Sequence, residues 1–145
     1  MVRIDLVRDK IRRLRESVGL LRAALPGSPA DLARDRDRLD LVSFRVYLGL
    51  QEAIDLASHL IADEGWGPAA SLRDHFAILA GHGVVDATLA AELGDGIKIR
   101  NLIGHAYAQV DPLRLHAAAG VLPDLLERFC SGVLAWSEAA GARED

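Results

Sequence analysis

Residues 100–107, Arg-Asn-Leu-Ile-Gly-His-Ala-Tyr, place four side chains capable of chemistry within eight positions, and we call them the RNLIGHAY motif. Arg100 offers a planar set of donors that fits a phosphate, and His105 can gain or lose a proton near neutral pH. Asn101 and Tyr107 add an amide and a phenol. These groups could cleave an RNA phosphodiester without a metal ion. His105 would act as general base or acid, and Arg100 would stabilise the charge growing on the phosphate.

The spacing within the motif limits how its residues can act together. On a continuous helix Arg100 and His105 point about 140° apart around the axis, whereas Asn101 and His105 share a face. A single regular helix therefore cannot direct Arg100 and His105 to one point. Either the helix is distorted near Gly104, or residues from two copies of the chain meet in a composite cleft on a twofold axis.

Helical spacings of apolar residues predict three helices before the motif, and breaker residues mark their ends. We expect the first helix over residues 2–24, because a Pro-Gly-Ser-Pro segment follows it. Asp31 is the predicted N-cap of a long second helix that runs to about Asp63. A third helix is predicted over residues 69–80, after Pro68.

The motif lies at the end of a predicted fourth helix, and one more helix closes the chain. Asp86 is the expected cap of the fourth helix, in which Gly94 and Gly96 favour a kink or break. The last helix should begin at Asp111-Pro112 and reach about Ala139. Its internal proline at position 123 should bend or divide it. No segment alternates like a strand, so the sequence predicts an all-α antiparallel bundle of four to five helices.

Length and composition indicate one globular domain. The chain has 145 residues, of which 50% are hydrophobic and 26% charged, and this suffices for a single core. We assign residues 1–140 to that domain and residues 141–145 to a frayed tail. No apolar run is long enough to cross a membrane, and charges interrupt the N-terminal segment where a signal peptide would be apolar. We therefore expect a cytoplasmic protein that makes no membrane contact.

Positive charge is concentrated at the start of a chain whose formal net charge is −4. Residues 1–25 carry seven basic and three acidic side chains. The net charge argues against broad nonspecific binding of nucleic acids. The first helix could simply present a solvated face, or it could dock an RNA backbone or an acidic partner.

Outside the motif, three groups of residues have both a chemical and a simpler interpretation. Asp55, His59 and Asp63 are spaced by four and could bind a metal, but three ligands on one helix rarely complete a site, so we predict none. Cys130 lies in an apolar helical pattern, which favours a small buried side chain over a catalytic thiol. Tyr47 of the second helix could line the active cleft or merely pack there.

The RNLIGHAY motif resembles the signature of the HEPN superfamily, and within it that of the HepT-like (DUF86) ribonuclease toxins. The family pattern is Arg, a polar residue, three further residues, His, one residue and Tyr, matched here by Arg100, Asn101, His105 and Tyr107. The resemblance covers nearly the whole chain, because the bundle size, the long second helix and the single helix after the motif also agree. It implies a HEPN-like bundle.

The resemblance also implies a function, namely the toxin of a HepT/MntA-type toxin–antitoxin system. Such a protein would be a metal-independent endoribonuclease without cofactors, acting on RNA as a homodimer with a composite active site. Arg100 and His105 would be catalytic, with Asn101 in support. An MntA-like nucleotidyltransferase antitoxin would attach AMP to Tyr107, placing bulk and negative charge two residues from His105.

Two rival interpretations stay open at this point. Related helical bundles serve as non-catalytic binding partners of nucleotidyltransferases, and such a partner need not keep an intact pair of Arg100 and His105. A purely structural dimerisation bundle would leave the RNLIGHAY motif as a coincidence.

Overall fold

The computed structural model describes residues 3–144, and this part of the chain is helical apart from its short connections. No strand occurs within it, which confirms the all-α prediction. The helices are α1 (Ile4–Ala24), α2 (Pro29–Arg34), α3 (Arg36–Glu64), α4 (Leu72–Gly81), α5 (Ala87–Ala106) and α6 (Pro112–Glu144), with a short 3-10 helix (Tyr107–Gln109) between the last two.

The long helix α3 lies at the centre of the bundle. It contacts each of the other five α-helices, while α1 also packs along α6, and α4 packs on α5. The core consists of aliphatic side chains from all six helices and a pair of phenylalanines, Phe76 and Phe129, whose rings meet edge to face at 5.7 Å. Each fully buried side chain of this size stabilises the fold by about 1.5–3 kcal/mol, so the bundle fixes the position of α5 against α3.

The predicted second helix is in fact two helices, so its expected start at Asp31 was wrong. Ser28 caps α2 by accepting a hydrogen bond from the Asp31 amide (3.2 Å). Asp35 then leaves the helical conformation (φ −121°, ψ 98°) and caps α3 through the Arg38 amide (3.0 Å). An aspartate inside a helix competes for nearby backbone amides, and here the competition ends one helix and begins the next.

The starts of α4 and α5 depend on similar caps. The third predicted helix begins at Leu72, not at residue 69, because the Ser71 hydroxyl caps it. Asp86 caps α5 as expected, and its carboxylate accepts from the Leu89 amide at 2.7 Å. The helix that carries the RNLIGHAY motif is therefore anchored at the predicted residue.

A kink or break was expected at Gly94 and Gly96, and the break does not occur, because α5 is continuous from Ala87 to Ala106. Both glycines lie under neighbouring side chains. A Cβ on Gly94 would stand 3.0 Å from the Arg73 side chain, and one on Gly96 would stand 3.2 Å from Leu50. The Arg73 guanidinium also donates to the Gly94 carbonyl (3.1 Å). The glycines thus permit close packing of α5 instead of breaking it.

The last helix is longer and less interrupted than expected. It passes through the buried Pro123 without dividing and ends at Glu144, five residues beyond the predicted end at Ala139. Residues 141–144 of the expected frayed tail are therefore helical, and Asp145 lies outside the described residues. A proline removes one backbone donor, and the remaining hydrogen bonds and the core contacts of α6 keep the helix together.

The basic side chains of α1 face the acidic side chains of α6. Three ion pairs connect the two helices: Arg8 with Glu138 (3.3 Å), Arg15 with Glu127 (3.0 Å) and Arg22 with Asp124 (2.8 Å). An acidic partner for the first helix therefore exists within the chain itself. None of the helices described is long and apolar enough to cross a membrane.

Candidate active site

Arg100 projects from α5 onto α3, where two side chains hold its guanidinium. Its Nη2 donates to the Tyr47 hydroxyl (3.1 Å) and to the Gln51 side-chain carbonyl (2.8 Å). The guanidinium carbon also lies 4.7 Å from the centre of the Tyr47 ring, which is a cation–π contact. The side chain is only partly exposed. Arg100 is therefore held in one orientation at the junction of the two helices.

Asn101 extends this arrangement along α5. Its side-chain carbonyl accepts a hydrogen bond from Nη1 of Arg100 at 3.1 Å. Since a guanidinium has no acceptor, only the oxygen of the amide can face it, and the orientation of the Asn101 amide follows. Its NH2 group, which makes no hydrogen bond within residues 3–144, is left as a donor next to Nη1.

His105 and Tyr107 lie at the end of α5 and are exposed. His105 makes no hydrogen bond to any described residue, and Tyr107 is 68% exposed. The helix stays regular through Gly104 and His105, and it ends only at Ala106 (φ −145°, ψ 45°), where the 3-10 helix begins. A distortion near Gly104, one of the two alternatives that the spacing allowed, is therefore not seen in the single chain, and Arg100 and His105 leave the helix in directions about 140° apart.

An open groove of about 470 Å³ separates α3 from the end of α5. Its lining is largely aromatic and polar: Asp40, Ser43, Phe44, Tyr47, Ile103, Gly104 and Tyr107. Gly104 has a specific role in its shape, because a Cβ at this position would lie 3.3 Å from the Tyr47 ring. The glycine thus lets the ring lie against α5, where it also contacts Arg100.

The other candidates have structural explanations. No group of three potential metal ligands occurs within residues 3–144. Asp55 instead accepts a hydrogen bond from Gln51 (3.1 Å), and Asp63 pairs with Arg3. Cys130 is fully buried, and burial raises the pKa of its thiol to about 12, so it is an inert core residue. A larger groove beside α1 contains arginines, but these pair with carboxylates.

The sequence singled out the candidate residues of α5 but only one of the residues of α3 that contact them. Tyr47 was expected to line the active cleft or to pack, and in the structure it lines the groove and packs against Arg100. Gln51 was missed. The sequence contained one indication of this contact: the polar residues Tyr47, Gln51 and Asp55 are spaced by four and therefore share a face of α3.

The Ribonuclease HepT-like family model matches residues 11–132. This chain belongs to the HepT-like ribonuclease family. The match includes the RNLIGHAY motif and the stretch of α3 that holds Arg100. No curated protein matches the sequence.

Solved structures of toxins share the HepT-like bundle. One belongs to a toxin–antitoxin complex with AMP-PNP (TM-score 0.82, 20% identity, 90% of this chain and 98% of that chain covered). Another is a tri-AMPylated HEPN toxin of Shewanella oneidensis in complex with MNT antitoxin (TM-score 0.81, 21% identity, 93% of this chain and 99% of that chain covered). A third is a mutant MntA–HpeT toxin–antitoxin complex (TM-score 0.80, 19% identity, 89% of this chain and 98% of that chain covered). At this identity the likeness shows a shared fold.

Proposed function

We propose that this HepT-like chain is a metal-independent endoribonuclease and the toxin of a toxin–antitoxin system, working in the cytoplasm. The observation that carries the proposal is the guanidinium of Arg100, which α3 holds at the motif, on the same helix as the exposed His105. A cation held in place and an accessible imidazole are the two groups that RNA transesterification needs.

The proposed reaction uses the nucleophile that RNA already contains. One imidazole removes the proton of a ribose 2′-hydroxyl, and the 2′-oxygen forms a bond to the adjacent phosphorus. The bond from phosphorus to the 5′-oxygen breaks, and an imidazolium protonates that oxygen. Arg100 stabilises the charge on the phosphate, and Asn101 supports it. The products are a 2′,3′-cyclic phosphate and a 5′-hydroxyl. DNA lacks the 2′-hydroxyl and cannot react in this way.

The directions of the side chains support a homodimer with a composite active site. Because Arg100 and His105 diverge on one regular helix, we propose that a second copy supplies the missing group across a twofold axis. Phe44 and Leu41 are large apolar side chains of α3 that are 53% and 38% exposed. They provide apolar surface close to the groove that such a dimer could bury.

The exposure of Tyr107 supports the second part of the proposal, control by AMPylation. We propose a nucleotidyltransferase antitoxin of the MntA kind as the partner, which transfers AMP from ATP to the Tyr107 hydroxyl and releases pyrophosphate. The phenol is accessible, and a similarly folded toxin is AMPylated in complex with its antitoxin. An adenylate there would repel an RNA phosphate approaching the groove that Tyr107 lines.

Cleavage of single-stranded RNA in EDTA tests the enzymatic proposal. Wild type should leave 2′,3′-cyclic ends, and His105→Ala should lower the rate by about a hundredfold or more with the fold intact. His82→Ala, which changes an exposed histidine stacked on Trp66, is the matched control and should cleave normally. A wild-type protein that binds a nucleotidyltransferase but cleaves no RNA would instead favour the non-catalytic partner.

Mass spectrometry after coexpression with an MntA-like nucleotidyltransferase tests the regulatory proposal. We expect added adenylate on the peptide that contains Tyr107, and none on that peptide in Tyr107→Phe. Modification confined to other residues would remove Tyr107 from the proposal and leave the proposed RNA cleavage untouched.

A further inference from the structure

The middle of α3 meets the guanidinium of Arg100 through Tyr47 and Gln51, two residues outside the RNLIGHAY motif. We propose that both are positioning residues, which hold Arg100 so that its one remaining accessible donor faces the RNA phosphate. The inference rests on the proposed ribonuclease function and deepens it. It assigns to α3 a part of the active site that the motif does not contain.

The donors of Arg100 show what this hold leaves available. A guanidinium has five N–H groups. Both protons of Nη2 point to α3, one towards Tyr47 and one towards Gln51, and one proton of Nη1 is used by Asn101. Nε is buried and has no hydrogen-bond partner within the described residues. The second proton of Nη1 therefore remains for a phosphate oxygen, with the NH2 group of Asn101 beside it.

The orientation of Gln51 is fixed from its other side. Its NH2 group donates to the Asp55 carboxylate (3.1 Å), so its carbonyl oxygen must face Arg100. In this series of two hydrogen bonds, Arg100 donates to Gln51 and Gln51 donates to Asp55, so each bond strengthens the other. An amide is suited to this place because it accepts from Arg100 without neutralising the charge that the phosphate needs.

Tyr47 restrains the same guanidinium by a different contact. Its hydroxyl accepts from Nη2, and its ring faces the guanidinium carbon, so both the position and the plane of Arg100 are restricted. The hydroxyl retains its own proton, which makes no hydrogen bond to a described residue. A group held before the substrate arrives loses no orientational freedom in the transition state, and this raises kcat more than it lowers KM.

Kinetics of RNA cleavage in EDTA test the inference with three variants. Gln51→Leu should lower kcat by about tenfold to a hundredfold, and Tyr47→Phe, which keeps the ring, by about threefold to tenfold. Gln51→Glu should hold Arg100 but neutralise it, so KM should rise by about tenfold or more. Ser58→Ala, on an exposed position of the same helix, is the control and should match wild type.

A comparison in the Arg100→Lys background separates positioning from a general structural effect. Lysine cannot make the same forked contacts, so Gln51→Leu should cost at most about twofold there. A residue that merely stabilised the fold would cost the same factor in both backgrounds, and that result would overturn the inference. NMR of the 15N-labelled Arg100 side chain gives a readout without activity. Exchange of its Nε proton with water should be faster in Gln51→Leu than in wild type.

The outcomes distinguish the inference from the function on which it rests. A wild-type protein that cleaves no RNA contradicts the proposed ribonuclease. An active wild type whose kcat and Arg100 proton exchange are unchanged by Gln51→Leu contradicts the positioning role alone.

Discussion

Arg100 and His105 lie on one helix but in different surroundings. The chain itself orients Arg100, through Tyr47, Gln51 and Asn101. His105 faces solvent and makes no hydrogen bond within residues 3–144. In the proposed reaction, the group that binds the phosphate is therefore already oriented within one chain, whereas the imidazole is oriented by the substrate or by a second copy.

Gly104 connects stability with the proposed activity, because it stands between the motif and the Tyr47 ring. Gly104→Ala should change the melting temperature little, because the preference for alanine over glycine in a helix, about 1 kcal/mol, is offset by the shift of the Tyr47 ring that the new Cβ requires. Its Cβ would displace the Tyr47 ring, which contacts Arg100, so we expect kcat/KM for RNA to fall severalfold. Gly19→Ala is the matched control, because no atom lies within 4 Å of its new Cβ. Full activity of Gly104→Ala would contradict this role of the ring.

Cys130 should be unreactive in the folded protein, because burial raises the pKa of its thiol to about 12. We expect little alkylation by iodoacetamide at pH 8 and rapid alkylation after unfolding in urea. Mass spectrometry measures both. Rapid alkylation under native conditions would show that α6 opens locally around this residue.

At the residue scale, the sequence supplied the candidate residues for chemistry, because the residue types and their spacing can be seen in the RNLIGHAY motif. It did not predict that Gln51 contacts Arg100. The two residues are 49 positions apart, and their contact depends on how α3 packs against α5. A polar face on a helix can face solvent or contact polar side chains of another helix, and the sequence alone does not show which of the two occurs.

Among the helices, α5 carries the motif and its start depends on Asp86. Asp86→Ala should lower the free energy of unfolding by about 1 kcal/mol, because the Leu89 amide loses its acceptor. Urea denaturation at pH 7 measures the change. Asp86→Asn retains a capping oxygen and should cost much less. Equal losses for the two variants would mean that the charge of Asp86, and not its hydrogen bond, stabilises α5.

The contact of α1 with α3 contains a carboxylate whose ionisation opposes folding. Burial raises the pKa of Glu52, although the Ser17 hydroxyl donates to its oxygens at 2.9 Å. The folded state therefore holds this proton more tightly than the unfolded chain does. The contribution of Glu52 to stability is most favourable at acidic pH and declines as the pH rises through the raised pKa.

Replacing Glu52 by glutamine should remove this decline. Relative to wild type, Glu52→Gln should become more stable between about pH 4 and pH 7, by less than about 1 kcal/mol because the side chain is partly exposed. The glutamine carbonyl can still accept from Ser17. Melting temperatures of both proteins measured across this pH range test the sign, and a variant whose stability relative to wild type falls as the pH rises would contradict it.

At the element scale, the sequence predicted helices better than their boundaries. The cap at Asp86 is correct because a strong acceptor precedes a clear apolar pattern. The division at Asp35 was missed because alternating arginine and aspartate residues read as one exposed helical face. Gly94 and Gly96 of α5 were predicted to favour a kink or break. The side chains that pack against them, Arg73 and Leu50, belong to other helices, and the local sequence does not show these contacts.

For the whole molecule, the ion pairs between α1 and α6 explain a charge pattern that composition left open. Exposed pairs of this kind each contribute about 0–1 kcal/mol, so they orient the helices more than they stabilise them. They also engage much of the basic surface of α1. The proposed binding of RNA should therefore depend more on the motif and the adjacent groove than on α1.

The proposed composite active site can be tested by heterodimers in which Arg100 and His105 lie on the same chain or on different chains. Arg100→Ala and His105→Ala homodimers should each lose about a hundredfold or more of the activity. A heterodimer of these two variants keeps one Arg100 and one His105 on different chains. A heterodimer of wild type with the double variant keeps both groups on one chain. Tandem affinity tags isolate each species, and RNA cleavage in EDTA measures its activity.

Because the regular helix α5 directs Arg100 and His105 apart, the heterodimer with the groups on different chains should recover a substantial part of the wild-type rate. The one with both groups on the same chain should recover much less. The reverse order would show that a single chain brings Arg100 and His105 to the same phosphate. That result would require α5 to distort near Gly104 when RNA binds, the alternative that the spacing of the motif had left open.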